Sequence, residues 1–189
     1  MYSAVLFIHV MATLCLVAAI SVEAIALRQL RRAAEKADLP SWFHQMQRMR
    51  MVATVCLLIL FFSGGYLTDS LSMWKLAWPK AAVAVGVAFG ALAGISGRRV
   101  GRIRKALQHA VEANEVLAAV NAPFLRISLA LRIGLVLAAV FLMAVKPNFM
   151  QSAGAVLTFI LTFWIVGAVA ARKKPHEGTA AKKLEPSVT

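Results

Sequence analysis

Apolar residues fall in five long runs along the chain, separated by short polar or basic stretches. The runs are Tyr2–Leu27, Met51–Leu67, Trp78–Ile95, Phe124–Val145 and Phe149–Ala171. Their lengths suit an α-helix crossing the ~30 Å hydrocarbon core of a bilayer, which takes about 20 residues. A soluble core rarely supplies five such runs in succession. Lipid offers no partner for an unpaired backbone NH or CO, which again favours helices. The pattern predicts an all-α fold: a polytopic transmembrane helical bundle of five spans over residues 1–172, followed by a tail at 173–189.

The first run is expected to be a retained span. No Lys or Arg precedes it, and it exceeds the 7–15-residue apolar core of a signal peptide. Between the first two spans, helical composition continues to about Ala37, and Asp38-Leu39-Pro40-Ser41 reads as a turn. Ser41 is the expected N-cap of the next helix, which enters the membrane near Arg50. Gly64-Gly65, near the far end of that helix, is a candidate break or kink. The third connection, at about 98–121, is amphipathic, with Ile103, Leu107, Ala110 and Leu117 at helical spacing. Asn121-Ala122-Pro123 then reads as the start of span four, with proline in its first turn. Lys146-Pro147-Asn148 leaves room only for a tight hairpin, and the tail from about Lys174 has the composition of a disordered segment.

Composition sharpens this picture. The chain is 60% hydrophobic and 15% charged, with a mean hydropathy of +0.73. An ordinary soluble domain is about 45–50% apolar and about 25% charged. A disordered protein, a disulfide scaffold and nearly any water-soluble globule are excluded.

Charge supplies an orientation. The net charge is +13, which in a soluble protein would point to nucleic acid. Here the basic residues lie between apolar runs, so no nucleic-acid partner is expected. The first and third connections and the tail hold 17 Lys and Arg, against Lys75, Lys80 and Lys146 on the other side, with Arg132 inside a span. Basic residues favour the cytoplasmic side, so the expected topology is N-out and C-in. The basic tail and connections should then face the anionic lipids of the inner leaflet.

Ionisable groups inside spans are costly and therefore informative. His9, Thr13, Leu16, Ile20 and Glu23 follow a 4-3-4-3 spacing and share one helical face. From the residues His9 reads first as a hydrogen-bonding partner of a neighbouring helix, with heme ligation as the alternative. Arg132 lies eight residues into span four, about 12 Å along its axis, at a depth similar to that of Glu23. The two are expected to form an intramembrane ion pair, or else to snorkel separately to the interface. Gly86, Gly90 and Gly94 repeat every four residues and make a smooth ridge for helix packing, or for contact with a second copy in a homo-oligomer. Gln151, Thr158 and Thr162 form a modest polar stripe in span five. No carboxylate pair, nucleophile triad, HExxH or other metal site is visible. Cys15 and Cys56 belong to no CxxC pair, so a disulfide between them is unsignalled. His44 reads as an interfacial anchor beside Trp42-Phe43, and His109 and His176 as solvated.

Leu6-Phe7-Ile8-His9-Val10, the basic approach Arg48–Arg50, Gly64-Gly65 and Trp78-Pro79-Lys80 together resemble a loose group of small bacterial membrane proteins. The group includes the copper-resistance D family, a family of predicted integral membrane proteins and the heme-b-associated protoporphyrinogen oxidases. The resemblance covers about residues 2–97 and implies a multi-pass protein of the bacterial inner membrane. In the oxidases a first-span histidine and an early third-span lysine are functional, and these map to His9 and Lys80. A further histidine of the oxidases falls here on Ala91, and the fifth span departs from their four-span plan. Two expectations follow: an accessory or transport-type membrane component, or a heme-b-linked oxidoreductase with His9 as axial ligand and Lys80 on a substrate carboxylate.

Overall fold

The computed structural model describes residues 1–32, 39–108 and 123–172. Its elements are α1 (Tyr2–Arg32), α2 (Leu39–Ser70), a 3-10 turn (Met73–Lys75), α3 (Ala77–Gln108), α4 (Pro123–Val145) and α5 (Phe149–Arg172). The fold is all-helical, and all five α-helices are long and apolar enough to cross a membrane. The expected tail and the connection beyond Gln108, with Asn121, lie outside the described residues.

Successive helices run in opposite directions, so the bundle has two ends. One, called here the basic end, carries Arg28, Arg48, Arg98, Arg99, Arg102 and Arg172. The other is the far end, with Lys75, Lys80 and Lys146. Helix α1 packs along α2, α4 along α5 and α3 against α4, whereas α2 and α3 touch sparsely. That open α2–α3 seam is the feature on which the site depends.

Burial follows the sequence period. In α1 the buried positions are His9, Ala12, Leu16, Ala19, Ile20, Glu23, Ala26, Leu27 and Leu30, a stripe at spacings of three and four with few breaks. In α4 the stripe is Leu125, Ser128, Leu129, Arg132, Leu135, Ala138 and Leu142. Apolar residues on the opposite faces, such as Phe7, Phe62 and Trp164, are exposed, as a bilayer requires and water would not tolerate in such number. Helix α5 buries only Ser152 and Gly167. It lies on the outside of the bundle.

Several connections depart from expectation. Helix α2 already begins at Leu39, so Ser41 lies inside its first turn instead of capping it. Pro40 at the start of a helix loses nothing by its missing NH, which lets the helix begin earlier. Gly64-Gly65 does not break α2, which continues to Ser70. Neither glycine has a positive φ, and the backbone NH and CO groups of a helix interior in lipid stay paired within the helix. The third span runs on as one helix to Gln108, so the first part of the amphipathic connection belongs to α3.

The α4–α5 hairpin is as short as expected. Lys146 takes a left-handed φ of 50° and its NH donates to the Leu142 carbonyl at 3.0 Å, closing α4. Asn148 and Gln151 then form a reciprocal cap: the Gln151 NH donates to Asn148 Oδ1 at 3.0 Å and the Asn148 NH to Gln151 Oε1 at 3.3 Å. Gln151 is thus spent on the helix start. Thr158 donates to the Gly154 carbonyl of its own helix at 2.8 Å and is exposed, so the expected polar stripe of span five bonds locally instead of lining a cavity.

Close backbone approach also falls elsewhere than expected. A Cβ on Gly86 or Gly94 would meet nothing within 4 Å, and one on Gly90 would only touch Leu57 Cδ2 at 3.5 Å. Within the chain, the α3 ridge faces open space. The tight contact is between α4 and α5, where a Cβ on Gly134 would lie 2.9 Å from the Phe163 ring and one on Gly167 2.9 Å from the Ile127 Cα. Buried Ser96 and Ser128 hydrogen-bond across the α3–α4 contact, and Arg126 of α4 donates to the Ala170 carbonyl of α5, one of the orphan carbonyls of a helix C-terminus.

Candidate functional site

Glu23 is brought to the bundle interior by the α1 stripe and is 2% exposed. Arg132, equally buried, comes from α4 and meets it end-on: Nη1 donates to Oε2 and Nη2 to Oε1, both at 2.8 Å. The structure therefore brings this expected pair together as a bidentate ion pair, the strongest form that two such side chains adopt. It also adds a third member. Arg50 of α2 donates to Glu23 Oε1 through Nε and Nη2, each at 3.0 Å.

The arithmetic of this centre is uneven. Glu23 accepts four N–H bonds, three at Oε1 and one at Oε2. One negative charge thus serves two guanidiniums. Among the described residues the other carboxylate is Asp69, which lies near the far end of α2. Arg132 Nε, a fifth donor, is buried without a partner among the described residues. An unpaired donor and a surplus charge in a low-dielectric interior are both expensive.

Beside this centre a cavity of about 660 Å³ occupies the α2–α3 seam. Arg50 and Arg132 line it together with Phe43, Gly94, Gly97 and Gly101. Met51 and Val55 line it as well and are 66% and 55% exposed, so the cavity opens on the outside of the bundle. The glycines of α3 explain why the seam is hollow: where a larger residue would fill the space, there is only backbone. The Gly97 surface faces Arg50, whose Nη1 would lie 3.6 Å from an added Cβ.

His9 sits nearer the far end, on the same α1 stripe. Its Nδ1 engages Ser63 of α2 at 2.8 Å, and Ser63 donates onward to the Ile59 carbonyl at 2.6 Å. The Gly64 position accommodates the imidazole, since a Cβ there would lie 3.2 Å from His9 Cε1. A second cavity of about 130 Å³ is lined by His9, Thr13, Thr68, Trp78 and Met143 among others.

These residues do not fit a heme with two histidine ligands. His9 is the one histidine on that cavity, the position of the second is Ala91, and Lys80 is exposed and not part of the lining. His9 and Lys80 are thus not brought into one site. Cys15 and Cys56 are free thiols on the neighbouring helices α1 and α2. His44 is exposed near the start of α2. His109 and His176 lie outside the described residues.

Arg50 is the member of this centre that its place among the basic residues of a connection conceals. A signal is present: Arg50 stands at the boundary of an apolar run, two residues from exposed Arg48, and two residues turn a helix by about 200°, so the two side chains leave opposite faces. Comparison with known proteins adds no family to this geometry: no family model, curated protein or solved structure matches the chain.

Proposed function

We propose that this chain is a multi-pass protein of the bacterial inner membrane, of the accessory or transport type, whose working centre is Glu23–Arg50–Arg132. The centre takes up an anionic group at the α2–α3 seam. The observation that carries this reading is the single carboxylate shared by two guanidiniums, with an Arg132 N–H donor left over beside an open cavity. Buried charges in membrane proteins face a partner or a cavity and mark binding or transport paths.

The basic end lies in the cytoplasm and the N-terminus outside, on the strength of the charge asymmetry. Green fluorescent protein fused at Thr189 should fluoresce and alkaline phosphatase fused there should be inactive. An active phosphatase would reverse the orientation.

The anion reading is tested by thermal unfolding in a neutral detergent, with inorganic phosphate compared against chloride at equal ionic strength. Phosphate at about 100 times its Kd adds about 2.7 kcal/mol to stability, worth about 5–10 °C in Tm for a chain of this size. Arg132→Gln should abolish that gain while keeping a neutral Glu23–Arg50 pair. Equal Tm values in phosphate and chloride for the wild type, together with no preference for an anionic over a zwitterionic phospholipid, would overturn the reading.

The alternative, a heme-b-linked oxidoreductase, has one observation in its favour. The Ser63 contact holds His9 through Nδ1 and leaves Nε2 for a ligand, as the other ring nitrogen of a metal-bound imidazole is held by a hydrogen bond. The absence of a second imidazole on the cavity and the position of Lys80 weigh against it.

A further inference from the structure

Resting on that reading, we propose that the anionic group is the phosphate of a membrane lipid, which enters sideways between α2 and α3 and lays an acyl chain along the glycine face of α3. Three features of the seam support this occupant over a free anion.

The first is charge. Glu23 brings one negative charge to Arg50 and Arg132, so the pair of guanidiniums retains one positive charge, and Arg132, which lines the cavity, keeps an unused donor at its buried Nε. A phosphodiester supplies one negative charge and acceptor oxygens, which match both deficits. The second is shape. Gly94 and Gly101 would each meet nothing within 4 Å if given a Cβ, and Gly90 only the end of Leu57. The three lie on one face of α3 at steps of four and seven residues, so the space is an extended slot about 16 Å long, suited to a chain instead of a compact ion. The third is access. Met51 and Val55 line the same cavity and are exposed on the apolar flank of the bundle. A lipid already in the bilayer reaches the slot without leaving hydrocarbon, whereas an aqueous ion would have to cross an apolar rim.

Besides the two arginines, Gln47 and Thr54, the cavity wall is apolar, with Phe43, Val55, Leu57, Phe89 and Val100. This too suits an acyl chain. Arg50 lies level with Gly97; from there Gly94 and Gly90 continue the hollow face toward the middle of α3 and Gly101 lies toward the basic end, so head and tail requirements run in the order that a lipid of one leaflet presents.

The test uses the full chain in dodecyl maltoside, titrated with dioleoylphosphatidylglycerol or with zwitterionic dioleoylphosphatidylcholine, with bound lipid counted by native mass spectrometry. The wild type should retain one phosphatidylglycerol in preference to phosphatidylcholine. Arg132→Gln should weaken retention about tenfold or more, the effect of losing a charge-assisted hydrogen bond. Gly94→Leu fills the slot without touching the charges and should weaken it comparably. Equal retention by the wild type and Gly94→Leu would overturn the proposal, because lipid held only by surface arginines is indifferent to the slot. Stabilisation by inorganic phosphate with no preference between the two lipids would leave the anion centre standing and remove the lipid. A response to neither would remove both.

Discussion

Glu23→Gln should cost far more stability than either Arg50→Gln or Arg132→Gln. The single carboxylate holds two guanidiniums in the bundle interior. Its loss leaves two like charges buried side by side, whereas loss of one arginine leaves a neutral pair. Breaking a buried ion pair by removing one partner costs about 3–5 kcal/mol, and Glu23→Gln should lie at or above the top of that range. Each arginine change should fall well below it. The cost of Glu23→Gln should shrink in an Arg50→Gln/Arg132→Gln background, where no unpaired charge remains. Unfolding in detergent across this set reads the couplings directly. Three small effects that add within about 0.5 kcal/mol, as at independent sites, would mean that the side chains reach water separately.

The second large effect is expected at Gly167. A Cβ there meets the Ile127 backbone at 2.9 Å and Ala130 Cβ at 3.1 Å, so α4 and α5 must separate for any other residue to fit. Small residues permit such approaches in membranes, where packing replaces the hydrophobic drive between helices. Gly167→Ala should destabilise by about 1–3 kcal/mol, the usual cost of overpacking, and Gly167→Leu should exceed that. Gly94→Ala is the control. It enters open space and exchanges the poorer helix former for the better, a gain of up to about 1 kcal/mol. Thermal unfolding of the two alanine variants separates a packed glycine from a hollow one. Equal losses at both positions would place α3 in a helix contact that the structure does not contain.

These two predictions also mark where the sequence was informative. Five runs of apolar residues forecast five helices because lipid demands helical backbone and length alone counts the spans. The stripe from His9 to Glu23 forecast the buried face of α1, since a period of 3.6 needs no tertiary knowledge. Matching the depth of Arg132 to that of Glu23 named one partner of the carboxylate. It could not name Arg50, whose burial depends on how α2 leans against α1 below its apolar run. The glycines show the same limit. Their spacing says that a helix has a smooth face, but not whether a neighbour covers it. On α3 that face borders the sparse α2–α3 seam, and the covered glycines, Gly134 and Gly167, belong to no four-residue repeat. Lys80 carried a role only through resemblance, and its exposed position keeps it away from His9.

The most direct measurement is an experimental density map of the protein in nanodiscs of dioleoylphosphatidylglycerol, at a resolution that shows ordered lipid. The expected result is a headgroup within hydrogen-bonding distance of Arg132 Nε and a tail along the face of Gly94 and Gly90. A seam closed by α2 packing directly on that glycine face, with Arg132 Nε bonded to the protein itself, would contradict it.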